Sequence, residues 1–129
     1  MESIEDTVRA EYDRFNRLWD DAEVSDEWEF HPPPDLVGRR VYRGKEGSRQ
    51  LVGELDDAFA SFRAEPQEVL AAEGGEVVVR ARVIATGRHS GVDSDREEFH
   101  VLTMSDDETR RVRCFTKRAE AMDAAGLED

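Results

Sequence analysis

Near the start of the chain the apolar residues Ile4, Val8, Tyr12, Phe15, Leu18, Trp19 and Ala22 recur at spacings of three and four. This predicts a helix from Ser3 to about Ala22 with one buried stripe. Ser3 with Asp6 three positions on resembles a capping pair, the hydroxyl accepting from an orphan backbone N–H while the acid faces the positive helix end. Trp28-Glu29-Phe30-His31 alternates aromatic with polar residues, as a half-buried strand does. Pro32-Pro33-Pro34 then removes three backbone donors in succession, so the strand must stop there. Residues 35–43 read as a loop. A second helical pattern opens at Gly44 and places Leu51, Leu55, Ala58, Phe59 and Phe62 on one face. Gly53 inside it costs about 1 kcal/mol of helix stability.

After Pro66 the period changes from helix to strand. Residues 69–72 and 77–86 are β-rich and flank Gly74-Gly75, the pattern of a hairpin. A polar stretch with Gly87, Gly91, Asp93 and Asp95 leads to a strand over 98–104. A turn over 105–108 and a strand over 110–116 follow. The tail, 118–125, favours helix, and Gly126 is placed to stop it. Helices first and an antiparallel sheet afterwards is the order of an α+β domain whose helices cover one face of a curved sheet. At 129 residues the chain is one domain, 1–129.

Charge narrows the partners. Eighteen Lys and Arg against 31 Asp and Glu leave a net charge of −13, so a phosphate backbone is repelled and no nucleic-acid partner is expected. No apolar run approaches the roughly 20 residues of a membrane span. The start Met1-Glu2-Ser3 lacks the basic and apolar regions of a secretory signal, so a cytoplasmic protein with no membrane partner is expected. Cys114 is the only cysteine, which excludes an internal disulfide and a cysteine zinc cluster, and it reads as a small hydrophobe. Three histidines without HxH or HxxxH spacing could supply at most a metal site assembled from separate strands, and none is expected. The glycines lack the spacing of a phosphate loop, so nothing points to nucleotide hydrolysis.

Histidine carries the candidate chemistry. By strand alternation Glu29 and His31 share one face while Trp28 and Phe30 take the other, and His100 shares its face with Leu102 and Met104. An imidazole among apolar neighbours titrates close enough to neutrality to act as acid or base. Arg82 falls on the face of Val78 and Ile84, and Arg113 on that of Phe115. A buried guanidinium needs an acid partner or an anionic ligand.

Several passages together resemble the SnoaL-like branch of the nuclear-transport-factor-2-like superfamily. They are the aromatic-acid-aromatic-His-Pro strand at 28–32, Val-Tyr-Arg-Gly-Lys-Glu-Gly at 41–47, Gly-Arg-x-Ser-Gly at 87–91 and Phe-x-Val-x-Thr at 99–103, with a similar closing strand and helix. The resemblance implies a cone-shaped fold with N-terminal helices packed on the sheet, a short C-terminal helix, and a pocket for a small apolar organic molecule. It also implies a homodimer through the outer face of the sheet, where Phe99, Val101 and Thr103 can point outward. In the related ketosteroid isomerases the general base sits at the end of the first strand before a proline, a position that looks like His31. The acid that donates a hydrogen bond there aligns with His100, allowing a one-residue gap, and Tyr12 is the nearest helix-one tyrosine. The implied catalytic set is His31, His100 and Tyr12. The implied substrate-binding set is Phe15, Trp19, Tyr42, Phe59, Arg82, Leu102 and Arg113. The reaction implied is cofactor-free proton transfer next to a carbonyl, as in a cyclase or isomerase. The alternative is a non-catalytic ligand-binding or dimeric scaffold domain. Limonene epoxide hydrolases, similar in fold, use an Asp-Arg-Asp arrangement whose three positions are not all matched in this sequence.

Overall fold

The computed structural model describes residues 3–17, 24–35 and 40–128. Their elements run α1 (Ile4–Asn16), β1 (Glu29–His31), β2 (Tyr42–Arg43), α2 (Gly44–Ala58), β3 (Phe59–Glu73), β4 (Glu76–Gly87), β5 (Asp93–Ser105), β6 (Glu108–Phe115) and α3 (Arg118–Ala125). The strands form one curved, unclosed sheet in the order β2-β1-β6-β5-β4-β3. All neighbours are antiparallel except β1 and β6, which pair in parallel. The Ser3 side chain accepts from the Asp6 backbone N–H and caps α1 as expected. Leu18, Trp19 and Ala22, with the predicted end of that helix, lie outside the described residues.

Both faces of the sheet are packed at the start of β4, so Val77, Val78 and Val79 run consecutively before Arg80 and Arg82 turn outward. Val77, Val79, Ala81 and Val83 pack with Val8, Tyr12 and Leu102 on the inner face under α1. Val78, Phe99 and Val101 pack on the outer face against Ala121 and Met122 of α3. Fully burying one such side chain contributes about 2 kcal/mol. Phe99 and Val101 do point outward, but α3 of the same chain covers them.

The second helix is shorter than its apolar spacing predicts. It stops at Ala58, and Phe59 opens a 15-residue strand in which Phe59 and Phe62 still face the same way. A bulge between Phe59 and Ser61 inserts one residue, so a spacing of three, which looks helical, becomes a same-face pair in a strand. Pro66 lies inside β3, where an edge strand and a second bulge tolerate its missing donor. At Ala64 the free edge of β3 is met by α1. Asn16 Nδ2 donates to the Ala64 carbonyl at 2.7 Å, and the Ala64 N–H donates to Asn16 Oδ1 at 2.9 Å. β2 was not expected, since it lies inside the predicted loop 35–43, and β5 contains the predicted strand 98–104 but begins earlier, at Asp93 within the polar stretch. The hairpin at Gly74-Gly75 stands as predicted, with φ of 62° and 84° there.

Candidate functional site

Between the inner face of the sheet and the helices α1 and α2 lies a cavity of about 550 Å³. Its walls are mainly aromatic and aliphatic: Phe15 of α1, Trp28 and Phe30 at β1, Tyr42 of β2, Phe59 and Phe62 of β3, and Leu102 and Val112 of β5 and β6. Phe15 stacks on Phe30 and Phe30 on Trp28, at centroid separations of 6.3 and 6.2 Å. The aromatic face of the 28–31 segment therefore turns toward the cavity.

A chain of polar groups crosses one wall. Glu11 of α1 accepts the Thr109 backbone N–H at 2.7 Å, anchoring the helix to the end of β6. One residue on, Tyr12 reaches β5, and its hydroxyl oxygen lies 2.6 Å from His100 Nδ1. His100 Nε2 lies 3.0 Å from Glu98 Oε1, two residues back on the same strand face. The other Glu98 oxygen accepts from Arg96 Nε at 3.0 Å, and the Arg96 fork bonds Asp35 at 3.1 and 3.2 Å. All six side chains line the cavity. Tyr12, His100 and Glu98 are each 6% exposed, so their bonds are shielded from water.

This connectivity sets the protons. A carboxylate only accepts, so the ring proton of a neutral His100 sits on Nε2 and is donated to Glu98. Nδ1 then has a free lone pair, and the Tyr12 O–H donates to it. Burial pushes the Tyr12 hydroxyl well above the usual phenol value of 10, with Cys114 and Glu98 nearby adding to the effect. Tyr12 therefore does not persist as a phenolate near neutrality. The hydrogen bond from Arg96 holds the Asp35 carboxyl below its ordinary range.

The expected site residues separate into two groups. Tyr12, His100, Phe15, Tyr42, Phe59 and Leu102 line the cavity. His31 does not: because Phe30 faces the cavity, Glu29 and His31 face away, and His31 Nε2 lies 2.9 Å from Glu29 Oε1. Arg82 also lies outside, paired with Asp95 in the exposed part of β4 and β5. Arg113 lies on the outer face, donating to the Ala124 carbonyl of α3 at 3.2 Å and pairing with Glu76. Both arginines follow outward neighbours, Val78 and Val101, rather than the inner face. Trp19 falls outside the described residues.

Sequence reading missed Glu98, Arg96 and Asp35. The first two were within reach of the period-two rule, since both share the face of His100. Asp35 was not, because only the folded chain brings it to Arg96. Cys114 is buried, as its reading as a small hydrophobe implies. It has no histidine near it in sequence, yet the β5–β6 register sets it directly opposite His100.

Helices on the inner face of a curved sheet, enclosing a cavity, define the ketosteroid isomerase-like fold. A protein of that fold from Catenulispora acidiphila, in complex with trimethylamine, superposes with a TM-score of 0.69 at 11% identity, over 99% of this chain and 95% of that one. A putative SnoaL-like polyketide cyclase from a Jannaschia species gives 0.65 at 21% identity, over 98% and 92%. The epoxide hydrolase/cyclase-like enzyme SalBIII, of pyran ring formation in salinomycin, gives 0.68 at 18% identity, over 89% and 91%. Residues 7–112 match the SnoaL-like domain, and the chain belongs to that family. No match to the sequence was found among curated proteins.

Proposed function

We infer that the chain takes a small, mostly apolar carbonyl compound into the cavity and transfers a proton at the carbon next to the carbonyl. The observation that carries this reading is the Tyr12–His100–Glu98 chain, buried in the wall of an otherwise aromatic and aliphatic cavity. Tyr12 oxygen accepts the proton from the substrate carbon while its own proton passes to His100 Nδ1. The imidazolium formed is held by Glu98, and an enolate is left on the substrate. The high proton affinity of Tyr12 requires the two transfers to be concerted. Return of the proton at another carbon completes an isomerisation; attack of the enolate on a second carbonyl completes a ring closure. His31, bonded to Glu29 on the other face, has no part in this scheme.

Binding is tested with a small aromatic ketone, followed by amide chemical shifts. Shifts should concentrate at Phe30, Leu102 and Val112, and Ala85→Phe, which grows into the cavity from β4, should abolish them. Shifts centred on the outer face, or unaltered by Ala85→Phe, would contradict the reading. The homodimer belongs to the same reading. Because α3 takes up Phe99 and Val101, the pairing surface is the rest of the outer face, and the mass in solution tests it.

A second reading rests on Asp35, Arg96 and Glu98, two carboxylates held by one guanidinium at the polar wall. Such a set suits opening of an epoxide: Asp35, kept ionised by Arg96, takes a proton from the attacking water, and the opened alkoxide takes one from solvent. Diol formation from an aromatic epoxide, lost in Asp35→Asn, separates it from the first reading.

A further inference from the structure

We propose that Glu98, His100 and Cys114 form a site for one zinc-type divalent ion, open to the cavity on its fourth side. The carboxylate oxygens, the imidazole nitrogens and the thiol sulfur offer one ligand atom each, all within 4.8 Å of one another. Ligand atoms about 2.0–2.3 Å from a tetrahedral zinc stand about 3.3–3.8 Å apart, so small side-chain adjustments close the set on an ion. The three residues come from adjacent strands in fixed register, with His100 directly opposite Cys114. They are 6%, 6% and 3% exposed, respectively. All three also line the cavity, which leaves the remaining coordination position for water or a ligand group, as in catalytic zinc sites.

Charge and hydrogen bonding agree with this assignment. A divalent ion with one thiolate and one carboxylate is neutral, so the site adds no net charge to the interior. The second Glu98 oxygen stays with Arg96 Nε, which orients the carboxylate from outside the ligand shell. The ion replaces the proton on His100 Nε2, so Nδ1 carries the ring proton and donates it to Tyr12. A ligating histidine held at its other nitrogen in this way is the usual arrangement. The Tyr12 O–H is then released to donate to whatever occupies the cavity. The soft sulfur ligand favours zinc or cobalt over magnesium or calcium.

The inference does not depend on the proton-transfer reading, which is measured separately in the presence of a chelator. The chelator-treated chain is titrated with zinc by calorimetry and with cobalt by absorption. One ion per chain and a thiolate-to-cobalt charge-transfer band in the near ultraviolet are expected. Cys114→Ser, close to isosteric, should abolish the band and weaken zinc binding at least about tenfold, and Glu98→Gln should weaken it comparably. His31→Gln should change nothing, which separates the site from the His31–Glu29 pair on the outer face. Zinc should raise the thermal midpoint of the wild type but not of Cys114→Ser, so a loss of folding is distinguishable from a loss of ligand. No band, binding that survives Cys114→Ser, or binding lost in His31→Gln would overturn the proposal.

Discussion

Tyr12 Oη stands 2.6 Å from His100 Nδ1, although 88 positions separate the two residues in the chain. Their rings lie nearly parallel, with centroids 5.8 Å apart. The contact joins α1 to the centre of the sheet and makes a helix stripe residue part of the cavity wall.

Arg96 secures that contact from behind. Removing its guanidinium leaves the buried Glu98 carboxylate with His100 as its one remaining hydrogen-bond partner among those described. Arg96→Gln should cost about 2 kcal/mol, the range for a hydrogen bond to a charged group. Asp35→Asn, at an exposed carboxyl, should leave the thermal midpoint nearly unchanged. Thermal unfolding of the two variants checks the contrast; equal losses would show that Glu98 does not depend on Arg96.

Both tyrosines of the chain resist ionisation, Tyr12 and Tyr42 each through burial first. A group whose folded pKa is raised stabilises the fold fully below its ordinary value, here 10, and loses that contribution as pH rises toward the folded value. Stability should therefore fall above pH 10. Tyrosinate absorbance should rise together with unfolding rather than as a separate step near 10. Tyr12→Phe should shift the alkaline transition upward.

At the acid end the sign reverses. The hydrogen bond with His31 lowers the Glu29 carboxyl below its ordinary 4.5, with Arg43 and Arg111 assisting against the opposing effect of burial. Its contribution is present above 4.5 and disappears as pH falls through the folded value. Glu29→Gln should flatten the stability profile in that window, as followed by urea unfolding at stepped pH.

Two glycines of α2 should answer oppositely to alanine. A Cβ at Gly53 meets nothing within 4 Å, so Gly53→Ala should stabilise the helix by about 0.5–1 kcal/mol. A Cβ at Gly47 falls 2.7 Å from the backbone carbonyl carbon of Tyr42, so Gly47→Ala must push β2 aside and should destabilise the fold. Melting of each variant checks the pair, and a Gly47→Ala protein as stable as wild type would refute the packing of α2 on β2.

The parts legible in sequence were those set by short-range chemistry. The Ser3 cap, the glycine hairpin at 74–75 and the stop at Gly126 were of this kind, the last adopting φ 74°. The Phe59–Phe62 spacing misled because a bulge in a strand imitates a helical interval. Alternation correctly paired Glu29 with His31 and Trp28 with Phe30, but it carries no label for which face meets the cavity. In the structure the aromatic pair does. Tyr12 and His100 were legible as candidates, whereas Cys114 opposite His100 depends on strand register, and Asp35 beside Arg96 on a contact 61 positions apart.

The most direct test of the central claim is exchange of the α-protons of an aromatic cyclic ketone in deuterium oxide, followed by NMR. The wild-type chain should accelerate exchange, and Tyr12→Phe and His100→Gln should each reduce it by about 10²–10⁴-fold. His31→Gln should exchange as the wild type does. Exchange that survives His100→Gln, or that vanishes in His31→Gln, would contradict the account.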